Sequence, residues 1–193
     1  MLGDGELVSR IRAGDLDAFE TLYHKYKEQL YRTALAITND RGAAEEILQD
    51  CFLRAYDHID RVDGRSSLRP WLHRIIVNLS YNWAAKRRLR LISLEHVFGR
   101  LLMTSYGSPE RAFERDELLQ VVFEAIRSLS MPQRVVIVLF YLQGFSLAEI
   151  AYVVDSPVGT VKSRLHNARK ALRKKLMADS RISKEAAYEL LSS

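Results

Sequence analysis

Gly159-Thr160-Val161-Lys162-Ser163-Arg164-Leu165-His166-Asn167-Ala168-Arg169 is the stretch from which the rest of the chain is read. At 3.6 residues per turn Val161, Leu165, Ala168 and Leu172 share one face, while Thr160, Lys162, Ser163, Arg164, His166 and Arg169 are left outward. One side is suited to burial and the other to anions. Ser156 and Pro157 just ahead are the residue types of an N-cap and a first helical position. Further upstream, Ser146-Leu147-Ala148-Glu149 reads as a capping box opening a shorter helix that holds Ile150, Ala151, Val153 and Val154. Two short capped helices, a tight turn around Asp155 and a cationic second helix describe a helix-turn-helix, a motif whose second helix lies in the major groove of DNA. A plain helical hairpin with a solvated basic face has the same local pattern, so the remaining sequence has to separate the two.

The 193 residues include only four prolines and nine glycines, and 48% are hydrophobic. Apolar spacing is helical almost throughout, which predicts an all-α protein of two small helical domains joined by a linker. No run approaches the length of a membrane span, and the start, with Asp4 and Glu6, lacks a basic and then apolar leader. A cytoplasmic protein without membrane insertion is expected. The single cysteine, Cys51, sits on the apolar side of its helix and reads as a small buried hydrophobe. His24, His58, His73, His96 and His166 are scattered, so no metal site, cofactor, small-molecule substrate or catalytic group is expected.

Net charge is +5, unevenly spread. Residues 1–60 hold seven Lys/Arg against twelve Asp/Glu; residues 61–90 hold eight against Asp63 alone; residues 130–176 hold eight against Glu149 and Asp155. An acidic front followed by two basic patches suits a polyanion touched at two places.

Asp17 to Glu20 reads as a second capping box, followed by a stripe of Phe19, Leu22, Tyr23, Tyr26, Leu30, Tyr31 and Ala34. Asn39-Asp40-Arg41-Gly42 breaks that helix. The next one turns Ala44, Ile47, Leu48, Cys51, Phe52, Ala55, Tyr56 and Ile59 inward, leaving Glu45, Glu46, Gln49, Asp50, Leu53, Arg54 and Asp57 outside. An apolar Leu53 among carboxylates fits docking of a basic protein partner, although a solvated face with one stray leucine has the same spacing. Pro70 then opens a helix striped by Trp71, Leu72, Ile75, Ile76, Leu79 and Trp83, with Arg74, Asn78, Asn82 and Lys86 off the stripe and Arg87, Arg88 and Arg90 behind. Aromatics among cations could stack on bases, but Trp71 and Trp83 suit a core equally well. Periodicity fades over residues 89–109. Ser108-Pro109, the stripe Leu119, Val122, Phe123, Ile126 and Leu129, and a strongly apolar helix from Ser130 to Leu142 stopped by Gly144 complete a four-helix C-terminal unit. Ile182, Ala186, Leu190 and Leu191 suggest one more short helix in the tail.

Taken together these pieces resemble the extracytoplasmic-function sigma factors of bacterial RNA polymerase, of the sigma-70 family. The resemblance runs through Ala44-Glu45-Glu46, Gln49-Asp50, Phe52, Arg65 to Leu72, Arg74-Ile75 and Asn78, then through Leu129, Pro132, Arg134, Val138, Leu139, Tyr141, Gly144, Ser146, Glu149 to Ala151, Gly159 to Leu165, Ala168, Arg169 and Leu172. It implies a region 2-like domain at 1–90, a linker at 91–109, a region 4-like helix-turn-helix domain at 110–178 and a tail at 179–193. It further implies that Glu46, Gln49, Asp50 and Leu53 bind core polymerase. Arg65, Ser66, Ser67, Leu68, Arg69, Trp71, Arg74, Asn78, Lys86 and Arg87 would melt and capture the minus-10 box. Ser156, Pro157, Thr160, Lys162, Ser163, Arg164, His166 and Arg169 would read the minus-35 box as duplex. The implied partners are the clamp helices and flap of core polymerase, promoter DNA and an anti-sigma factor. Val62, where the family usually has an aromatic, and Asn82-Trp83 depart from its pattern. The rival reading is a free-standing helix-turn-helix regulator that binds duplex DNA without polymerase.

Overall fold

Two aspartates start the helices on which the N-terminal half is built. The computed structural model describes residues 2–62, 67–98 and 117–181, and no strand occurs among them. Asp15 accepts a hydrogen bond from Ala18 N at 3.0 Å and opens α2 (Leu16–Thr38). The start expected at Asp17 therefore lies two residues early, because Gly14, at φ +84°, turns the chain and leaves Asp15 as the cap. Asn39 ends α2 in the left-handed region, and Asp40 accepts from Ala43 N at 3.0 Å to open α3 (Arg41–Asp57). A single 3-10 turn, Ile59–Arg61, follows.

Ahead of these lies α1 (Asp4–Arg12), a helix the sequence reading did not anticipate, which buries Leu7, Val8 and Ile11. α4 (Leu68–Phe98) begins two residues before Pro70, which costs it nothing because the amides of a helix's first turn have no intrahelical acceptor. It continues to Phe98, well into the stretch expected to be linker. Leu22, Leu30, Ile37, Ala44, Cys51, Ala55, Leu68, Leu72 and Ile76 are fully or almost fully buried between α1 and α4. Tyr56, expected inside, is 42% exposed.

The C-terminal half comprises α5 (Glu117–Arg127), α6 (Met131–Ile137), α7 (Leu147–Val153) and α8 (Val158–Ala178). α6 widens into one π turn, Val138–Leu142, closed by Gln143 N donating to Val138 O at 3.1 Å. Gly144 then reverses the chain at φ +65°. The expected capping box is present: Ser146 N donates to Glu149 Oε2 at 2.8 Å and Glu149 N to Ser146 Oγ at 3.2 Å. Asp155 makes the tight turn at φ +50°. Pro157, and not Ser156, is the N-cap of α8. The Ser156 hydroxyl instead donates to Val154 O at 3.3 Å and accepts from Arg164 Nη1 at 3.3 Å.

The two halves touch. Arg134, in the C-terminal half, donates to Ile37 O at the end of α2 (2.7 Å) and to Arg127 O and Leu129 O at the end of α5 (2.5 and 3.2 Å). Carbonyls at helix ends have no intrahelical donor, so one guanidinium serves two helix ends and three carbonyls at once. Gln143 Nε2 donates to Gln29 O at 3.4 Å, and α4 packs along α7. The expected helix start at Ser108-Pro109, the apolar residues from Leu101 to Met103 and the tail helix from Ile182 lie outside the described residues.

Candidate nucleic-acid and polymerase interface

On α3 the core face is filled by Ala44, Ile47, Cys51 and Ala55, which leaves Glu46, Gln49, Asp50 and Leu53 in solvent. Leu53 is 65% exposed. It does not stand alone: Leu16, Phe19, Gln49, Phe52, Leu53, Tyr56 and Asp57 line a shallow groove between the start of α2 and α3. Its floor is rigid. The Phe19 ring meets Tyr56 edge-on at 5.1 Å and Phe52 at 6.3 Å, and Tyr23 packs on Phe52 at 4.7 Å. Phe19 and Tyr56 escaped the sequence reading as groove residues because each was assigned to the core, and Leu16 because it lies just ahead of the capping box expected at Asp17.

Of the residues expected at the minus-10 box, Arg65 and Ser66 lie outside the described residues. Leu68 does not reach the surface: it is fully buried, in register with Leu72 and Ile76, and its side chain is core. Asn78 and Lys86 are exposed on α4, while Trp71, Arg69, Arg74 and Arg87 are half-buried. Arg69 stacks on Phe145 at 4.4 Å and donates to Gln143 O. Arg74 donates to Tyr152 O at 3.2 Å and pairs with Asp155 at 3.2 Å. Arg69 and Arg74 thus both engage the C-terminal half. Arg87 pairs with Asp40 at 3.6 Å and lies 5.1 Å from the Trp83 ring. Ser67, exposed, accepts from Arg69 N at 3.3 Å.

Beneath these arginines His73 is fully buried, with Nδ1 2.8 Å from Arg69 O and its ring edge-on to Phe145 at 4.9 Å. Burial disfavours the charged imidazolium and pushes its pKa down to about 4. Cys51 is likewise fully buried, and loss of water pushes its thiol up to about 12. Neither group fits a chemical role.

On α8, Lys162, Ser163 and His166 are exposed, Thr160 and Arg164 are half-buried, and Pro157 is exposed at the helix entrance with Ser156 beside it. Arg169 departs from the outward position expected of it. Its guanidinium lies over Phe140 and Tyr141, at 5.3 and 5.4 Å from the ring centres, because the π turn brings both rings beside α8. A basic depression lined by His166, Arg169, Lys170 and Arg173 continues the face along the helix, and Lys170 and Arg173 had not been included in it.

Residues 22–90 match the Sigma-70 region 2 family and residues 119–172 the Sigma-70 region 4 family. The chain is 35% identical over 176 residues to the ECF RNA polymerase sigma factor SigW of Bacillus subtilis, covering 88% of this chain and 94% of that one. It belongs to the extracytoplasmic-function sigma factors of the sigma-70 family. The ECF RNA polymerase sigma-E factor of Escherichia coli K12 is 33% identical over 182 residues, at 91% and 95% coverage. Among solved structures the chain is similar to CnrH in complex with the cytosolic domain of CnrY, with a TM-score of 0.68 and 25% identity over 92% of this chain and 99% of that one. It is also similar to the sigma factor RpoE in complex with the anti-sigma factor NepR from Bartonella quintana, with a TM-score of 0.66 and 27% identity over 83% and 98%. This sigma factor is therefore a transcription initiation factor, and a free-standing helix-turn-helix regulator is not favoured. No described helix is long and apolar enough to cross a membrane.

Proposed function

We propose that this sigma factor divides its work by charge. The acidic groove face of α3, with Glu46, Gln49, Asp50 and Leu53, docks on the clamp helices of core polymerase, and the region 4 domain adds a contact to the flap. The first turns of α4, through Arg69, Trp71 and Arg74 and the neighbouring Ser67, hold the melted minus-10 strand; Asn78, Lys86 and Arg87 extend that surface. α8 reads the minus-35 duplex with Thr160, Lys162, Ser163, Arg164 and His166. The observation that carries this is the exposed Leu53 in an acidic surround on one domain, opposed to a cationic face on a capped helix-turn-helix in the other. The domains of this proposal run over 1–90 and 110–178. The protein works in the cytoplasm and performs no chemistry of its own: two promoter contacts, gaining from effective concentration on one polymerase, offset the cost of duplex opening.

The same arginines cannot hold DNA and the C-terminal half together. Arg69 and Arg74 have to leave Gln143, Phe145, Tyr152 and Asp155 before both promoter boxes are engaged. An anti-sigma factor, as NepR is in the related RpoE complex, would act on this equilibrium. Run-off transcription with purified core polymerase on promoters selected from genomic DNA tests the whole reading. Initiation that depends on added protein supports it; a chain that neither associates with core nor changes promoter opening overturns it.

A further inference from the structure

Helix α1 lies wholly ahead of the region 2 match, which begins at residue 22. Leu7, Val8 and Ile11 fix it to the core, but its two ends are charged and each reaches a different part of the chain. At its C-terminal end the Arg12 guanidinium donates to three carbonyls of one turn: Ile59 O at 3.4 Å (Nε) and 3.3 Å (Nη2), Asp60 O at 3.0 Å and Val62 O at 2.5 Å. At its N-terminal end the Asp4 carboxylate accepts from Lys25 Nζ at 2.6 Å, Tyr26 OH at 2.8 Å, Leu68 N at 2.8 Å and Ser67 Oγ at 3.4 Å. Leu68 N is one of the orphan amides at the start of α4, so Asp4 serves that helix as a cap supplied from another element.

The backbone entering at 59–62 and the backbone leaving at 67–68 are therefore both fastened to one rigid rod. A helix rises about 1.5 Å per residue, so the eight steps from Asp4 to Arg12 set the two bracing residues themselves about 12 Å apart along the axis. Fastening a single strand end would need one of these residues. Holding both ends at a set separation needs the pair.

We infer that α1 is a brace for promoter-strand capture: Asp4 and Arg12 are positioning residues that fix the first turn of α4, with Arg69 and Trp71, relative to the backbone at 59–62. This rests on the reading of α4 as the minus-10 surface. The lowering of the Asp4 pKa, against the opposing effect of its burial and through its bonds to Lys25, Leu68 and Tyr26, agrees with a carboxylate held ionised for the purpose.

The test uses the full-length chain reconstituted with core polymerase. Its probe is a labelled single-stranded oligonucleotide carrying the minus-10 non-template strand of a promoter transcribed in the run-off assay. Asp4→Asn and, separately, Arg12→Met, which keeps the packing stem, lower strand affinity and open-complex formation about tenfold. Core affinity and minus-35 duplex binding stay at wild-type values although the melting temperature falls as the freed carbonyls lose their donor, and Arg12→Lys, able to reach one carbonyl at a time, recovers part of the strand-affinity loss. Strand affinity that is unchanged in folded variants, or that falls only in step with core binding, overturns the brace. Arg69→Ala and Trp71→Ala separate the two levels: if these also leave strand affinity unchanged, the minus-10 reading has failed and the brace with it; if they reduce it while Asp4→Asn and Arg12→Met do not, the brace alone has failed.

Discussion

Replacement of Leu53 by alanine measures how much of polymerase docking is apolar. Full burial of a leucine side chain is worth about 1.5–3 kcal/mol relative to full exposure. Leu53 is 65% exposed, so a partner that covers it recovers about 1–2 kcal/mol of that amount. Alanine keeps the first methyl, which places the expected loss near the lower end, about five- to tenfold in Kd. The fold should not notice, because the side chain makes little of the core and exposed substitutions of this kind change stability by about 0.5 kcal/mol or less. Titration of the labelled chain with purified core polymerase, followed by fluorescence anisotropy at several salt concentrations, reads the effect. Glu46, Asp50 and Asp57 supply the long-range attraction and are screened by salt, whereas the leucine contribution is not. The ratio of wild-type to Leu53→Ala affinity should therefore stay constant as salt rises, while both affinities fall. A Kd within twofold of wild type, with unchanged melting temperature, would refute the assignment of this groove as the docking surface.

Arg164→Ala should weaken binding to a minus-35 duplex by about 1–3 kcal/mol while leaving core affinity intact, measured by gel shift of the reconstituted holoenzyme. Arg134→Met removes the donor shared by Ile37 O, Arg127 O and Leu129 O, and a loss of about 2–4 kcal/mol in urea unfolding is expected from leaving such carbonyls unmatched. His73 makes stability pH-dependent. Its folded pKa, about 4, lies below the ordinary 6.5, so the unfolded chain takes up the proton first as pH falls. The contribution of the neutral buried ring is complete above 6.5 and drains away toward 4, at up to about 1.4 kcal/mol per pH unit. His73→Phe should flatten the urea midpoint across that window, and a slope that survives the substitution would place its origin elsewhere.

The helix-turn-helix was legible because each of its turning points is written in one residue: the Ser146–Glu149 pair, Gly144 at positive φ and Asp155 in the left-handed region. Leu68 was also legible, since it continues the row Leu72 and Ile76, but reading it inside a DNA-contacting stretch overrode its own periodicity. Helix α1 left a weaker trace. It has nine residues, Gly3 gives it no side-chain cap, and Leu7, Val8 and Ile11 are too few to stand out between charges. What makes it informative, the reach of Arg12 across 47 to 50 positions and of Asp4 across 64, is tertiary and has no local pattern. The same holds for Arg169, whose placement over Phe140 and Tyr141 follows from a π turn that strict 3.6-residue spacing does not anticipate.

The contact between the two domains explains why a chain with two basic surfaces need not bind DNA strongly by itself. Its attachment on the α4 side includes, beside buried apolar contacts, guanidinium groups on carbonyls and rings: Arg69 on Gln143 and Phe145, Arg74 on Tyr152 and Asp155. Asp155 is 82% exposed at its side chain, so its pair with Arg74 is worth about 0–1 kcal/mol and weakens further with salt. An interface of this polarity permits domain motion. Yet these cations are the ones a phosphate backbone would recruit, so every promoter contact through Arg69 or Arg74 first displaces an acceptor inside the protein. Apparent DNA affinity is then reduced by the fraction of chains that stand open. If the α3 groove is the docking surface proposed above, its occupation by a large partner leaves those arginines untouched, so polymerase binding would come first and the exchange of internal acceptors for DNA second.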